Sequence, residues 1–291
     1  MEELALRAPA KINLFLEVRA RREDGFHEIE TVMQMVGLWD TVRLRRSSPG
    51  ITLSVRGADL PTGTENLAYR AAAALLRAAG GRGGVAIELT KRIPVGGGLG
   101  GGSSNAAAVL VGLNRLYDLG ARIDELAALG AALGSDVPFF FGGSLGLATG
   151  RGEVLRPLPS WEPHWIVLAN PRAEVSTAWA YREISSKLTD RAVQVTIPAS
   201  IAGGRLPWPP TWAFNRLEEA VLPSRPEIRA LRDLLRDGGG APALMSGSGA
   251  TVFAVAADEV LARRLADSAA AAGAFALAVE TLTTNPLLAT P

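Results

Sequence analysis

The glycine-rich segment from Pro94 to Ser104 is the part of the sequence whose residue types point most directly to chemistry. It reads PVGGGLGGGSS and lies between a strand-like segment, VAIELT, and the alanine-rich SSNAAAVLVGLNRLY. The first turn of a helix has N–H groups without internal partners and a partial positive charge from the helix dipole. Glycines let successive N–H groups converge on one anion and let phosphate oxygens approach without meeting a Cβ. The pattern therefore predicts a polyphosphate site, for which a nucleoside triphosphate is the commonest ligand.

The two serines at the end of this loop stand where hydroxyls can hydrogen-bond to phosphate, and Ser103 is the candidate ligand of a phosphate-bound Mg²⁺. The predicted nucleotide-binding set is Pro94, Val95, Gly96, Gly97, Gly98, Leu99, Gly100, Gly101, Gly102, Ser103 and Ser104. The loop is not a Walker A motif, because no lysine follows its last glycine. It is not a Rossmann fingerprint either, because no acidic residue lies about twenty residues further on at the end of a strand. A flexible linker would not run directly into a capped helix.

The composition of the chain limits which classes of protein it can belong to. The chain has 291 residues, 48% of them hydrophobic, so two domains with substantial cores are expected. A net charge of +1 gives no basic footprint for nucleic acid. The absence of cysteine fits a reducing compartment. Only two histidines, His27 and His164, are available, which argues against a histidine metal centre and against Ser-His-Asp chemistry.

Membrane and secretory segments are not expected. The start, MEELALRAPAKINLF, has acidic residues early and lacks an uninterrupted apolar stretch, unlike a signal peptide. The segment from Ile93 to Asn114 carries no charge, but its glycine cluster would leave backbone groups unsatisfied in lipid. We therefore expect a soluble cytoplasmic protein, a monomer or weak homodimer, that binds a small-molecule substrate and neither nucleic acid nor membrane.

Periodicity predicts strands and helices that alternate along the chain. The predicted strands are AKINLFLEV, TVRLRR, ITLSV, VAIELT, WIVLANP and AFALAVET, with a strand pair around a glycine turn in PALMSGSGATVFAVA. The predicted helices are ENLAYRAAAALLRAAG, SSNAAAVLVGLNRLYDLG, DELAALGAALG, STAWAYREI, PEIRALRDLLRDGG and DEVLARRLADSAAAAG. The segment RGEVLRPLPSWEPHW is interpreted as a linker or crossover, and Ser200–Pro210 as an irregular surface loop.

Three separated motifs resemble those of the GHMP kinase superfamily. PVGGGLGGGSSNAA resembles its phosphate loop, PAKINLFLEV its first motif and LMSGSGATVFAV its third, in the same order and over nearly the whole chain. The resemblance implies a two-domain α+β fold. Residues 1–155 would form a ribosomal S5 domain 2-like domain that binds ATP, and residues 156–291 a ferredoxin-like domain on the substrate side. It also implies a kinase that uses ATP as co-substrate with Mg²⁺.

The predicted catalytic pair is Lys11 and Asp136. Lys11 interrupts an otherwise apolar strand, an awkward place for an idle charge. From local sequence alone, Asp136 in GSDVPF is a turn or cap residue. The resemblance instead makes it the group that accepts or orients the proton of the attacking hydroxyl, with the lysine beside it. Such a lysine would hold the carboxylate ionised and stabilise charge on the transferred phosphoryl group.

The segment RREDGFHEIETVMQ, with GSDVPFF, resembles the branch of the superfamily that phosphorylates the 2-hydroxyl of a cytidine diphosphate-linked methylerythritol in the non-mevalonate route to isoprenoid precursors. In that branch this segment receives the cytosine, and many members have Tyr where this chain has Phe26. Tyr181 aligns with a second stacking aromatic, although core packing would also explain it. The resulting substrate-binding set is Asn13, Phe26, His27, Thr177, Tyr181, Gly247, Ser248 and Gly249.

Two features leave alternatives open. The glycine turn Ser246–Gly249 fits a tight hairpin about as well as a site. In FNRLEEA, many relatives carry an acidic residue directly after the asparagine where this chain has Arg216, so a role for Glu218 stays open.

The alternative functions are a mevalonate- or homoserine-type kinase, and a non-catalytic nucleotide or sugar sensor. A sensor usually has a damaged catalytic pair, whereas Lys11 and Asp136 are both present.

Overall fold

The computed structural model describes residues 2–81, 83–186 and 208–289. These residues form a seven-stranded sheet and a four-stranded sheet, each covered by helices. The first sheet contains β1 (Glu3–Arg21), β2 (His27–Ser47), β3 (Gly50–Arg56), β4 (Gly84–Thr90), β5 (Leu145–Thr149), β6 (Val154–Pro157) and β8 (Phe214–Asn215). The second contains β7 (Trp165–Asn170), β9 (Ala243–Met245), β10 (Val252–Val255) and β11 (Phe275–Glu280).

Seven α-helices are found within the described ranges. They are α1 (Leu67–Ala78), α2 (Gly101–Tyr117), α3 (Ile123–Ala131), α4 (Thr177–Ser185), α5 (Glu218–Val221), α6 (Pro226–Asp237) and α7 (Glu259–Ala271). A 3₁₀ turn covers Pro138–Phe141. None of the helices in the described ranges has the length and apolar character needed to cross a bilayer.

The seven-stranded sheet carries the predicted nucleotide site. Its main path runs β3-β4-β2-β1-β8, with β5 and β6 branching from β2. The long strands β1 and β2 pair antiparallel, and β3 pairs parallel to β4. The alanine-rich α2 is buried along almost its whole length and packs against β1, β2 and α1. Small side chains allow that close approach, so the start of α2 is held firmly against the sheet.

The four-stranded sheet has the topology expected of a ferredoxin-like domain. Its order is β11-β7-β10-β9, and every neighbouring pair is antiparallel. The helices α6 and α7 each connect strands of this sheet and cover it. The α+β class and the predicted arrangement of two unlike domains are confirmed.

Two parts of the chain lie in elements that the sequence did not predict for them. The segment taken as a linker contains β6, which pairs antiparallel with β5 at the edge of the first sheet. The strand β8 and Leu287 also belong to the first sheet and its core, although both lie beyond residue 156. The domain division at 155/156 stays a prediction. Residues 200–207 of the predicted Ser200–Pro210 loop lie outside the described residues.

Candidate active site

A cavity of about 510 Å³ lies between the two sheets and contains most of the predicted site. The glycine loop, from Pro94 to Ser103, forms its central wall. One end is lined by Leu60, Pro61 and Leu67, and is suited to a flat apolar ring. The other end is polar and is lined by Lys11, Asn13, Thr31, Asp136, Thr177, Tyr181, Gly247 and Ser248.

The glycine loop leads directly into the start of α2, the local geometry on which the predicted phosphate site depends. Gly100 is the N-cap of α2 with φ 69°, a left-handed conformation that favours glycine. The first intrahelical hydrogen bond runs from Ser104 N to Gly100 O at 2.9 Å. The N–H groups of Gly101, Gly102 and Ser103 precede that bond and point out of the helix start. They meet the cavity where the positive end of the helix dipole lies.

The two loop serines have different environments. Ser103 lines the cavity, whereas Ser104 is completely buried and does not. The Ser104 hydroxyl has no hydrogen-bond partner among the described residues, and its N–H is already used within the helix. The burial of Ser104 gives no support to its predicted contact with nucleotide, which stays a prediction.

Lys11 and Asp136 lie together at the polar end of the cavity. The Lys11 Nζ atom is 3.4 Å from Asp136 Oδ2, and it donates to Asn13 Oδ1 at 2.7 Å and to Gly98 O at 3.0 Å. Three acceptors match the three N–H bonds of the ammonium. The lysine side chain is 4% exposed, but the aspartate side chain is 37% exposed and remains open to the cavity. A buried positive charge thus faces an accessible carboxylate, as proton transfer from a bound alcohol would need.

The glycine turn Ser246–Gly249 fixes the glycine loop from the second sheet. The Ser246 hydroxyl donates to Gly98 O at 3.0 Å, and Thr251 N donates to Gly97 O at 3.2 Å. Gly247 has φ 55°, and a Cβ built there would lie 3.2 Å from Asn13 Oδ1. The turn is therefore part of the cavity wall as well as a hairpin. Its contact with substrate stays a prediction.

A buried polar cluster behind the loop was missed by the sequence analysis. Lys91 forms an ion pair with Asp40 and donates to Asn105 Oδ1 at 3.0 Å. The other Asp40 oxygen accepts from the backbone N–H groups of residues 92 and 93, at 2.7 and 2.9 Å. A Cβ built at Gly101 would be 3.2 Å from Lys91 Nζ, which places this ammonium beside the start of α2. The only signal in the sequence was a lysine directly after the predicted strand VAIELT.

Arg216, the residue that departs from the family pattern, has a structural role. Its guanidinium donates to both carboxylate oxygens of Glu17 on β1, at 2.7 and 2.8 Å. The neighbouring Asn215 donates to Met245 O and Gly247 O, at 2.7 and 2.8 Å. Glu218 accepts from Met245 N at 2.6 Å. This segment therefore joins β1 to the Ser246–Gly249 turn and does not line the cavity.

Replacing Arg216 with Met is expected to lower the free energy of unfolding by about 3 kcal/mol, because Glu17 is 1% exposed and loses the guanidinium that balances its charge. Urea titration of the two proteins measures this difference. The exposed pair of Arg263 and Glu259 on α7 provides the control. Arg263→Met should change stability by less than about 1 kcal/mol. Equal effects of the two substitutions would contradict the assigned role.

The predicted substrate side divides into two parts. Thr177 and Ser248 line the cavity, and their hydroxyls are 3.0 Å apart. Tyr181 also lines it, and burial together with the negative charge of Asp136 raises the pKa of its phenol. His27 packs against Tyr181 with ring centroids 5.5 Å apart and is hydrogen-bonded to the Ser185 hydroxyl. Burial, followed by the charge of a nearby arginine, lowers the pKa of His27, so its imidazole is neutral at pH 7.

Phe26, His27 and Gly249 do not line the main cavity. Phe26 is 51% exposed and lies in the turn between β1 and β2. Gly249 has φ 82°, and a Cβ built there would be 2.6 Å from Met245 Sδ. Gly249 therefore shapes the turn, and its predicted contact with substrate stays a prediction.

Comparison with known proteins agrees with this geometry. The model of the GHMP kinases N terminal domain matches residues 66–144, and that of the GHMP kinases C terminal domain matches residues 203–274. A protein of Gloeobacter violaceus named 4-diphosphocytidyl-2-C-methyl-D-erythritol kinase is 45% identical over 264 residues, which are 89% of this chain and 87% of that protein. The chain belongs to the GHMP kinases. A Geobacter sulfurreducens protein of the same name is 41% identical over 286 residues, covering 97% of this chain and all of that one.

Solved structures of GHMP kinases match over nearly the whole chain. A crystal structure of 4-(cytidine 5'-diphospho)-2C-methyl-D-erythritol kinase has a TM-score of 0.78 and 40% identity, and covers 96% of this chain and 99% of that one. A homoserine kinase from Cytophaga hutchinsonii has a TM-score of 0.73 at 20% identity, covering 98% and 96%. At that identity the likeness supports the fold alone.

Proposed function

We propose that this GHMP kinase transfers the γ-phosphoryl group of ATP to the 2-hydroxyl of 4-diphosphocytidyl-2-C-methyl-D-erythritol, in the non-mevalonate route to isoprenoid precursors. The observation that carries the proposal is the Lys11–Asp136 pair, 3.4 Å apart, which shares one cavity with the glycine loop. It occurs in a chain that is 41% to 45% identical to proteins named for that activity.

Phosphoryl transfer requires little covalent chemistry from the protein. The substrate hydroxyl oxygen attacks the γ-phosphorus, the bond from that phosphorus to the bridging oxygen breaks, and ADP leaves. Asp136 takes the hydroxyl proton. Lys11 pairs with that carboxylate and stabilises charge on the phosphoryl group. The N–H groups at the start of α2, with Lys91 beside them, hold the phosphates that stay with ADP.

Mg²⁺ fits the site with few protein ligands. Among the described residues, no group of three or more His, Cys, Asp or Glu side chains is placed to hold a metal ion. Mg²⁺ bound to a nucleotide takes most of its ligands from phosphate oxygens and water, so it does not need such a group. The Ser103 hydroxyl, at the first turn of α2 and open to the cavity, is the ligand that we propose. When bound, the ion would offset charge on the triphosphate.

The substrate lies on the side of the ferredoxin-like domain. Its cytosine would stack against the aromatic group formed by Phe26, His27 and Tyr181. The rings of His27 and Tyr181 already pack together. Its methylerythritol portion would reach the catalytic pair past Asn13 and Thr177. A cytoplasmic location and a monomeric or weakly dimeric state stay predictions.

Release of ADP from ATP, measured with a panel of alcohols, tests the proposed function. We expect turnover with 4-diphosphocytidyl-2-C-methyl-D-erythritol and none above background with mevalonate, homoserine or galactose. The product should carry its new phosphate on the 2-hydroxyl, as judged by phosphorus–carbon coupling in NMR spectra. Turnover of another alcohol at a higher kcat/KM would replace the proposed substrate. Nucleotide binding without any ADP release would favour a sensor.

A further inference from the structure

Arg151 lies beside the active site but belongs to none of the residue sets described above. It stands in the turn between β5 and β6, and its Cζ atom is 4.8 Å from the centroid of the Phe26 ring. This turn is fastened to the start of β2. Ile29 N donates to Gly150 O at 2.8 Å, and Gly150 N donates to Glu28 Oε1 at 3.0 Å. The guanidinium is thereby held over the aromatic ring.

The same turn also approaches the catalytic pair. A Cβ built at Gly152 would lie 4.0 Å from Asp136 Oδ1 and 3.4 Å from Ile29 Cδ1, two side chains that line the cavity. The turn therefore lies between Phe26 and Asp136. A substrate with its base on Phe26 and its hydroxyl at Asp136 must place its connecting group next to this turn.

The charge of Arg151 is only weakly balanced by the protein. Its one ion pair among the described residues is with Glu153, at 3.7 Å, and its side chain is 31% exposed. By contrast, Arg22 on the neighbouring hairpin donates to Glu28 at 2.7 Å and to Asp24 at 3.2 Å. Most of the five N–H donors of Arg151 are thus available to a ligand. A planar guanidinium with free donors is suited to phosphate oxygens, which it can bind through two parallel hydrogen bonds.

We propose that Arg151 binds the diphosphate of the cytidyl substrate while it packs on one face of Phe26. The inference rests on the proposed function, which supplies a substrate whose diphosphate connects base and alcohol. Cation–π packing holds the Phe26 ring in place. The ring is still 51% exposed, which leaves part of its surface available to the base. Arg151 would thus favour a substrate in which an anionic group connects the base to the alcohol, at the position where the turn passes the cavity.

Inhibition by CDP and by cytidine separates a role at the diphosphate from a role at the base. Both are measured as competitors of the cytidyl substrate at saturating ATP, with the wild type and with Arg151→Met. We expect CDP to bind the variant at least tenfold more weakly, the loss typical of a charge-assisted hydrogen bond, and cytidine to change by less than about twofold. KM for the cytidyl substrate should rise by a similar factor, whereas KM for ATP should not change.

Arg7→Met is the matched control, since Arg7 is an exposed arginine whose Cζ atom likewise lies 4.8 Å from the centroid of an aromatic ring, that of Trp39, and neither residue lines the cavity. It should leave the affinities for both ligands within about twofold. An equal loss for CDP and cytidine in Arg151→Met would overturn the assignment, because the side chain would then act through Phe26 alone. An unchanged affinity for CDP, or an equal loss in Arg7→Met, would also overturn it. If the wild type does not phosphorylate the cytidyl substrate, the proposed function itself fails.

Discussion

Asp136→Asn is expected to lower kcat by about three orders of magnitude and to leave the affinity for ATP within about twofold. The amide has nearly the same size as the carboxylate but cannot accept the hydroxyl proton. It also presents no charge to the Lys11 ammonium, which lies 3.4 Å from the carboxylate. The glycine loop and Lys91, which form the nucleotide side of the cavity, do not depend on this group. Steady-state kinetics and calorimetric titration with ATP measure the two effects.

Asp124→Asn is the matched control for this prediction. Asp124 is an aspartate in the first turn of α3, 68% exposed and ion-paired with Arg122, the N-cap of that helix. Its replacement should change kcat by less than about twofold. A kcat for Asp136→Asn within tenfold of the wild type would remove Asp136 as the proton acceptor. A parallel loss of ATP affinity would indicate that its charge acts on the nucleotide and not on the alcohol.

The nucleotide half of the site could be predicted from the sequence because its geometry is local. Consecutive glycines followed by a capped helix specify an anion-binding turn within about ten residues, and the described loop has that form. The same reasoning did not anticipate the burial of Ser104, since the direction of a side chain at a helix start depends on how the helix packs. That the second serine points into the core follows from the burial of α2 against the sheet.

Contacts between distant parts of the chain could not be predicted in this way. Lys91 and Asp40 are 51 residues apart, and Arg216 and Glu17 are 199 apart. No periodicity connects such positions, and each charge looks like a solvated surface residue on its own. The departure at Arg216 raised doubt about its segment, whereas the fold supplies a buried carboxylate as its partner. Asp136 was recognisable only by resemblance, because its pairing with Lys11 joins the first strand to a turn 125 residues later.

Gly98→Ala is expected to raise KM for ATP at least tenfold and to lower kcat by about a hundredfold, since the loss of orientation affects both binding and phosphoryl transfer. Gly98 has φ 73°, and a Cβ built there would lie 2.0 Å from the backbone oxygen of Ser246. The added Cβ and the Ser246 oxygen are both fixed to the main chain, so no side-chain rotation can relieve the clash between them. The loop would have to move away from the Ser246–Gly249 turn, and Gly98 O would lose its hydrogen bonds from Ser246 and Lys11.

Two further variants distinguish loop displacement from general damage. Gly63→Ala places a Cβ where no heavy atom lies within 4 Å, in exposed backbone without a positive φ, and should leave both kinetic constants unchanged. Ser246→Ala removes only the hydroxyl that donates to Gly98 O, and should raise KM for ATP by less than Gly98→Ala does. Thermal melts of all three proteins exclude unfolding at the assay temperature. A folded Gly98→Ala protein with wild-type KM for ATP would show that the phosphates are held somewhere other than at this loop.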